Sequence, residues 1–443
     1  MTMSTGVKGG IASCVLAAIS MQATTSQASE QSEAGGFVAD SHLTAVLRNY
    51  FWHQTGDLGP QRDWNQGVLA NFVSGFTQGT VGIGMDAFTY ANARLDGGGG
   101  RTGSMTEQVD GNGNPTHGYA KAGGSIKVRM SNTTLRYGDL EPAAPVFAVG
   151  NFYLLNQTAS GFMVDSTDVP DLALHAGHFT SGTGYLTTSR QGELGLAYAN
   201  VNTTDVDYAG AMYSLAKSTS LTLYGSRYKD IMDQYYINAN DVRVFSDDQS
   251  LTTDFNLYRS LSSGQAKAGD INLTSASLSL AYAFGAHTLT VAHQRIMGDT
   301  PQDYAAIGGT EPGVSIGKFS NGIYLANPAE LSDFNSPRER SWQLRYDLNM
   351  EPYGVPGLAF MAKQLWGSHI DGTHVDNRSA YLGFYGEGES EHETNLSVKY
   401  TIQSGPAKSL AVTLVGAKHT GATSTGGDNT LTRLVVDYPI SFF

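Results

Sequence analysis

Apolar and polar residues alternate along most of this chain with a period of two, and that period predicts β-strands. Trp342, Leu344 and Tyr346 fall on one side of such a segment, while Gln343 and Arg345 fall on the other. The same alternation recurs from the region after residue 42 to the last residues of the chain. Because few windows show the 3.6-residue period of an amphipathic helix, the pattern predicts an all-β protein.

Two kinds of connection separate the predicted strands. Some are tight, as at residues 131–134 and 284–287, and others are long and polar, as at 96–118 and 299–337. Strands of about ten residues, joined alternately by short turns and long loops, are typical of a transmembrane barrel. A closed barrel is also the one sheet that leaves no unpaired edge in a bilayer. We therefore expect a transmembrane antiparallel β-barrel of about 18 strands.

Composition agrees with a barrel and excludes other classes. The mean hydropathy is −0.22, and no segment approaches the roughly 20 apolar residues that a membrane-spanning helix needs. The formal net charge of −13 argues against nucleic acid as a partner. A secreted soluble β-sandwich would also alternate, but aromatic residues near the predicted strand ends favour the interfacial girdles of a barrel. These aromatic residues are Tyr50, Phe51, Trp52, Tyr346, Tyr400, Tyr438 and Phe442.

The first 28 residues resemble a secretory signal peptide. Lys8 supplies a positive charge, an apolar run follows it, and the small residues that end at Ala28 suit a cleavage site. Cys14, the only cysteine, lies inside this segment, and a lipoprotein processing site at Cys14 is the less favoured alternative because the apolar run continues beyond it. We therefore expect a signal peptide at 1–28 and one barrel domain at 29–443, without disulfides.

The polar phase of several strands carries cations. A cation at mid-depth on the lipid face costs about 2 to 4 kcal/mol, so cations in the polar phase indicate the wall of the lumen. We expect about half of them to pair with luminal acids such as Asp139, Asp347 or Asp437, and the rest to attract permeating anions. The predicted luminal cations are Arg48, Lys127, Arg129, Arg136, Arg345, Lys363, Lys399 and Arg433.

Residues 138–172 differ from the other connections because they contain three prolines and are apolar. Such a segment suits a loop that folds into the lumen and narrows it. An ordinary outer loop packed on a neighbour is the alternative. A second long segment, 303–340, is the candidate for the opposite wall of the constriction.

Several blocks of this sequence closely resemble the porin D (OprD-type) family of Gram-negative outer-membrane carboxylate channels. The blocks run the whole length of the expected mature chain, and they include AGGSIKVR (122–129), PVFAVG (145–150), QSGPAK (403–408) and RLVVDYP (433–439). The resemblance implies an 18-stranded barrel with a narrow eyelet and a ladder of basic residues on one side. It also implies passive diffusion of small carboxylates, among them amino acids, small peptides, organic or aromatic acids and carbapenem-like antibiotics.

The resemblance also implies roles for individual residues. Asp333, in the block SDFN, matches an acid that receives the cationic end of basic amino acids, and Tyr198 and Tyr304 match its neighbours. On the basic side the matches are Arg129, Lys399 and Arg433.

The chain departs from the family pattern where relatives carry arginines. Tyr153 stands at such a position in the constriction loop, and Thr413 and Val415 replace a pair of arginines near the C-terminus. The ladder is thinner as a result, which puts a preference for basic amino acids in doubt and favours uncharged or aromatic carboxylates.

The expected partners are small carboxylate solutes, outer-membrane lipid and lipopolysaccharide, and the barrel assembly machinery through the C-terminal strand. We expect a monomer or weak trimer in the outer membrane of a Gram-negative bacterium, without a cofactor and without enzyme activity. Two alternatives remain. A serine peptidase would use His178 and Asp230, but its nucleophile position is Gly322. A structural barrel would have a closed lumen and no conductance.

Overall fold

The structure is a computed structural model, and it describes residues 29–97, 101–308 and 322–443. The predicted signal peptide at 1–28 lies outside the described residues, as does the middle of the second long loop. The described residues contain one 18-stranded antiparallel sheet and two small sheets. None of the helices in these ranges is long and apolar enough to cross a membrane. The expectation of an 18-stranded barrel is confirmed.

The barrel strands are numbered β1–β18 in chain order. Their bounds are β1 His42–Gly56, β2 Gln61–Val73, β3 Val81–Asp96, β4 Gly118–Met130, β5 Thr133–Leu140, β6 Thr158–Val169, β7 Leu172–Thr183, β8 Val206–Ala216, β9 Thr219–Tyr228, β10 Met232–Ser246, β11 Gln249–Ser262, β12 Asn272–Phe284, β13 His287–Met297, β14 Arg340–Asn349, β15 Leu358–Asp371, β16 Glu387–Thr401, β17 Ala411–Gly421 and β18 Asn429–Ser441.

The sheet closes between its first and last strands. Each strand pairs antiparallel with its neighbours in sequence, and β1 also pairs with β18, from Thr44 opposite Ser441 to Gly56 opposite Asn429. Closure removes the two free edges that an open sheet of this size would expose. It also fixes the register of Arg48 opposite Asp437.

The apolar phase faces outward and the polar phase faces the lumen, as predicted. In the hairpin β4–β5, Ile126 and Met130 are each 59% exposed on the outer wall, whereas Lys127 is 4% exposed inside. The alternation follows from the pleat, since successive side chains point to opposite faces of a strand. The lipid-facing wall is therefore apolar, and the cations of these strands line the lumen.

Two of the predicted girdle aromatics point inward instead. Tyr50 and Trp52 share the phase of Arg48 on β1, and they are 1% and 4% exposed. They pack with Leu154 and Leu155 of the loop inside the barrel, so their apolar surface is covered by protein and not by lipid. Tyr346 and Tyr400 do lie on the outer wall as expected.

The first inward loop is shorter than the predicted 138–172. Strand β5 continues to Leu140 and β6 begins at Thr158, so the loop is 141–157. It turns through a small hairpin of Ala143–Ala144 and Phe147–Ala148. The hydroxyls of Tyr228 and Tyr258, on the far wall, donate to the carbonyls of Val146 (2.8 Å) and Pro145 (2.9 Å). The loop therefore crosses the lumen, as the apolar sequence predicted.

The second inward segment lies between β13 and β14, at residues 298–339, of which 309–321 are outside the described ranges. Its strand Ala305–Ile307 joins Leu194–Leu196 and Val201–Thr203, from the connection between β7 and β8, in a three-stranded sheet. The predicted opposite wall of the constriction therefore comes from two connections and not one.

Candidate solute pathway

Arg48 and the first inward loop form one side of the constriction. The guanidinium makes a two-point ion pair with Asp437 on the neighbouring strand, with N–O distances of 2.8 and 3.2 Å. Its Nη1 also donates to the carbonyl of Tyr153 at 2.9 Å. The cation thus holds the loop against the wall while its charge is largely matched by the carboxylate.

Arg433 links the two inward segments. Its Nη2 lies 2.9 Å from Glu330 of the second segment, and its guanidinium lies 4.1 Å above the ring of Phe152 in the first. The side chain is nearly enclosed, at 8% exposure. Planar guanidinium groups combine ion pairing with stacking in this way. The predicted ladder residue therefore lies at the narrowing, but with an acid beside it.

The β4–β5 hairpin contributes three paired cations on another part of the wall. Lys127 Nζ lies 2.5 Å from Asp86 on β3, Arg136 pairs with Asp165 on β6, and Arg129 lies 3.4 Å from the carboxylate of Glu30. Gly84, opposite Lys127 on β3, leaves space for the lysine, because a Cβ there would lie 2.7 Å from the lysine Cε and 2.8 Å from the carbonyl oxygen of Gly75.

Arg129 is covered by the segment that precedes β1. Its Nε donates to Gln31 (3.1 Å), its Nη2 donates to the carbonyl of Glu30 (3.0 Å), and its guanidinium lies 4.0 Å above Phe76. This position is near the turn Ser131–Asn132, at the end of the barrel with short connections. Arg129 is therefore remote from the inward loops.

Three further predicted cations lie on the wall formed by β14–β16. Arg345 makes a two-point ion pair with Asp347 (2.7 and 2.8 Å), and Lys363 donates to the carbonyl of Pro328 at 3.0 Å. Among the described residues, Lys399 has no hydrogen-bond or ion-pair partner, and it faces Thr413 across the strand pair.

Pairing of the luminal cations is more complete than expected. Six of the eight predicted cations have a carboxylate within 4 Å in the described residues. The sequence predicts fewer pairs because most partner acids lie on a neighbouring strand or a loop, and their register with the cation is not visible in the sequence. The lumen is therefore lined by charge pairs more than by free cations.

Asp333 and Tyr304, both in the second inward segment, form an acidic pocket with Tyr198 of the connection between β7 and β8. The hydroxyls of Tyr198 (2.8 Å) and Tyr304 (3.0 Å) both donate to Oδ2 of Asp333. Oδ1 receives no hydrogen bond from the described residues, and the side chain is partly exposed. Burial raises the pKa of Asp333, against the two tyrosine hydrogen bonds that lower it. The three residues that the resemblance grouped do lie together.

Asp303 holds this pocket from behind, and sequence reasoning missed it. Its carboxylate is 4% exposed and accepts hydrogen bonds from the backbone amides of Tyr198 (2.9 Å), Ala199 (2.8 Å) and Tyr304 (2.8 Å), and from the hydroxyl of Tyr381 (2.9 Å). The sequence shows only that this aspartate precedes a pocket tyrosine, because its other partners, Tyr198, Ala199 and Tyr381, are distant along the chain.

Glu393 fixes the other end of the pocket and was also missed. This buried carboxylate, on β16, accepts hydrogen bonds from the backbone amides of Glu330 (2.9 Å), Leu331 (3.1 Å) and Ser332 (2.9 Å). The segment 330–332 therefore has a fixed position between Arg433 and Asp333. Glu393 therefore holds the segment that leads to Asp333, and Asp303 holds the two tyrosines that contact Asp333.

Tyr153, at a position where the resemblance implied an arginine in relatives, lies in a cluster of aromatic rings. Tyr153 lies 4.8 Å from Tyr185 and 6.0 Å from Trp52, measured between ring centres. Thr413 and Val415 share the luminal phase of β17, so those positions add no charge to the lumen. The constriction is therefore apolar and aromatic on the side of Tyr153.

The peptidase residues do not come together in the described part of the chain. His178 pairs with Asp207 on the neighbouring strand at 2.7 Å, and its side chain is 45% exposed on the outer wall. Asp230 lies in the β9–β10 turn, where it accepts from the backbone amide of Gln265 (3.3 Å). Gly322 is buried. The histidine and the nucleophile position are on opposite faces of the wall.

Comparisons with known proteins agree on one family. The model of the outer membrane porin, OprD family, matches residues 35–442. Porin D of Pseudomonas aeruginosa is 46% identical over 418 residues, which cover 93% of this chain and 94% of that protein. A crystal structure of P. aeruginosa OprD superposes with a TM-score of 0.82 at 43% identity, covering 94% and 99% of the two chains. The structure of P. aeruginosa OpdK with vanillate superposes with a TM-score of 0.80 at 30% sequence identity. The match covers 92% of this chain and 100% of that one.

Proposed function

Because the chain belongs to the OprD family of outer-membrane porins, we propose that it is a passive channel for small carboxylates that also carry a cationic group, the class of the basic amino acids. The long loops of such barrels are extracellular and the short turns periplasmic. The inward segments therefore meet a solute that arrives from outside. The observation that carries the proposal is the open Oδ1 of Asp333, beside an Oδ2 that two tyrosines hold.

The pocket suits an ammonium or guanidinium group. The tyrosine hydroxyls fix the carboxylate plane, and Oδ1 is left to accept charge-assisted hydrogen bonds from a solute. Because the carboxylate is already positioned, binding costs little reorganisation. The site also has to release the solute, and partial exposure of Asp333 keeps the contact weak enough for passage.

The carboxylate end of the solute meets cations elsewhere on its path. Arg48 and Arg433 flank the first inward loop, and Lys399 lies nearer the periplasmic end without a partner among the described residues. Paired arginines retain guanidinium protons for an additional acceptor, because one guanidinium has five donors. The cations and the pocket acid together favour a solute with both charges over a simple anion.

Aromatic carboxylates are the second candidate class. The ring cluster of Trp52, Tyr153 and Tyr185 offers apolar contact at the constriction. The related OpdK was crystallised with vanillate, an aromatic carboxylate. Such a solute would use the cations and the rings, and it would leave Asp333 without a role.

The test is solute uptake into liposomes that contain the purified protein, with arginine, lysine, glutamate and benzoate at equal concentration. We expect arginine and lysine to enter fastest. Asp333→Asn should weaken the apparent affinity for arginine about tenfold, because a charged hydrogen bond contributes about 1.5 to 3 kcal/mol. Glutamate and benzoate should be affected little.

Asp376→Asn is the matched control, because Asp376 is an exposed acid of an outer loop that pairs with Arg378. Equal arginine uptake by the wild type and Asp333→Asn would contradict the proposal. Fastest uptake of benzoate, unchanged in Asp333→Asn, would support the aromatic class instead. A protein that conducts no ions in planar bilayers would be a structural barrel.

A further inference from the structure

Three arginines lie on the outer wall near the extracellular end of neighbouring strands. Arg259 is on β11, Arg295 on β13 and Arg340 on β14. Arg295 and Arg340 share their phase with exposed apolar residues of the same strands, such as Val291 and Leu344. Their side chains therefore point away from the lumen and take no part in the solute pathway.

Arg295 and Arg340 lie directly opposite each other in the sheet. They are register partners in the antiparallel pair β13–β14, and both are exposed. Neither guanidinium has a hydrogen-bond or ion-pair partner among the described residues. Like charges in directly opposite positions destabilise a strand pair. The described residues therefore provide no carboxylate that compensates these two positive charges.

The nearby acids do not supply this charge. Asp299, just beyond β13, pairs with Arg338 at 2.7 Å. Arg259, two strands away, donates only to the neutral side chains of Thr274 (3.2 Å) and Asn272 (2.6 Å). The three outward arginines therefore leave a net positive charge on this sector of the rim.

The height of the pair on the barrel identifies the environment. Trp342 follows Arg340 by two residues on the same face, is 52% exposed, and lies 4.3 Å from the ring of His293. Trp366 is its cross-strand partner on β15 and is 42% exposed. Exposed tryptophans on the outer face mark the level of the lipid headgroups. The arginines are one step further out, where the phosphates of the outer leaflet lie.

We propose that Arg295 and Arg340, together with Arg259, form a binding site for the phosphate groups of lipid A on the outer wall of the barrel. Guanidinium groups bind phosphate oxygens in a two-point geometry, and a phosphate between the two arginines removes their mutual repulsion. The acyl chains then lie along the apolar wall below, beside Trp342 and Trp366.

The test uses the folded protein in detergent and native mass spectrometry with two probes, bisphosphorylated lipid A and the same lipid without its phosphates. The wild type should bind the phosphorylated lipid more tightly. The double variant Arg295→Gln/Arg340→Gln should bind it at least about tenfold more weakly, since each cation near a lipid phosphate contributes about 1 kcal/mol. The lipid without phosphates should bind both proteins alike.

Arg227→Gln is the matched control. Arg227 also points outward near the extracellular end, on β9, but Asp233 already neutralises it at 2.9 Å. This variant should bind lipid A as the wild type does. Equal affinity of the double variant, or tight binding of the lipid without phosphates, would overturn the proposal.

Folding of each variant is verified by its heat-modifiable migration on gels. If the double variant does not fold, Arg340→Gln alone replaces it and should show a smaller loss in the same direction. In detergent without lipid A, Arg340→Gln should unfold at the same temperature as the wild type or higher, because one like-charge contact is removed. A lower unfolding temperature would contradict the unpartnered state of the pair.

Discussion

The backbone amide of Tyr198 lies 2.9 Å from Oδ1 of Asp303, a carboxylate that has almost no exposure to solvent. The same oxygen accepts the amide of Tyr304 at 2.8 Å. One buried acid thus positions both tyrosines whose hydroxyls converge on Asp333. The pocket is preorganised from behind, and its geometry depends on a residue that no solute touches.

Asp303→Asn should therefore damage the pocket without direct contact to the solute. The amide has one oxygen acceptor where the carboxylate had two, so some of the four donors lose their partner. An unsatisfied buried donor costs about 1 to 3 kcal/mol. We expect a lower unfolding temperature and weaker arginine binding, measured by heat-modifiable migration and by arginine block of the channel current.

Asp299→Asn is the control for this change, because Asp299 is partly exposed and pairs only with Arg338. It should leave arginine block unchanged. Arginine block of wild-type strength in Asp303→Asn would show that the tyrosines do not need this support.

Arginine binding should decline as the pH falls. Burial raises the pKa of Asp333 above its usual value, with Glu391 and Asp303 adding to the shift. The ionised carboxylate binds the cation, so binding is present above the raised pKa and is lost as the pH falls through it. The midpoint should lie above the value of about 3.9 for a free aspartate.

Current block by arginine, measured in steps from about pH 7 downward to about pH 4, checks this dependence. Asp333→Asn should show weak block with little pH dependence over the same range. A wild-type midpoint at or below that of a free aspartate would contradict the effect of burial.

Glu330→Gln should make the channel more selective for anions. The substitution removes the carboxylate 2.9 Å from Arg433 and leaves that guanidinium stacked on Phe152 with an unmatched charge at the constriction. Cations at a narrow point attract anions and repel cations. In a salt gradient, the reversal potential should shift toward the equilibrium potential of the anion. The control variant Asp376→Asn should show the same reversal potential as the wild type.

Lys399→Gln should slow the entry of carboxylates. Lys399 has no partner among the described residues, so its charge acts on solutes and not on a neighbouring acid. An ion pair between the lysine and a solute carboxylate in a water-filled lumen contributes about 1 kcal/mol to binding, which corresponds to about a fivefold change in apparent affinity. Glutamate uptake measures this effect.

Lys408→Gln, in the exposed periplasmic turn, is the matched control for Lys399 and should behave as the wild type. An equal reduction in both variants would assign the effect to the charge of the periplasmic mouth and not to the lumen.

The barrel and the phase of its strands were predictable because both follow from a local period of two. Ile126 and Lys127 occupy the faces that alternation predicted, and so do Trp342 and Arg345. Tyr50 and Trp52 were assigned wrongly because the lumen beside them is filled by Leu154 and Leu155. Both aromatic residues lie in the polar phase of β1, but the inward loop surrounds them with apolar side chains.

The site was predictable in part. The resemblance grouped Asp333, Tyr198 and Tyr304, and the fold brings them together. It gave no indication of Asp303 or Glu393, because most of their partners are backbone amides of distant segments, which carry no sequence signature. Charge pairing was also underestimated, since an ion pair across strands depends on register, and register is a property of the whole closed sheet.

The ion pairs of the lumen also bear on how this channel can change over evolutionary time. Glu330 and Asp437 each neutralise an arginine beside the inward loop. A change from Glu to Gln, or from Asp to Asn, requires a single nucleotide substitution. Such a change would convert a neutral pair into a free cation while the barrel keeps its shape. Each pair is therefore a latent anion site, and solute range can diverge between close relatives in one mutational step.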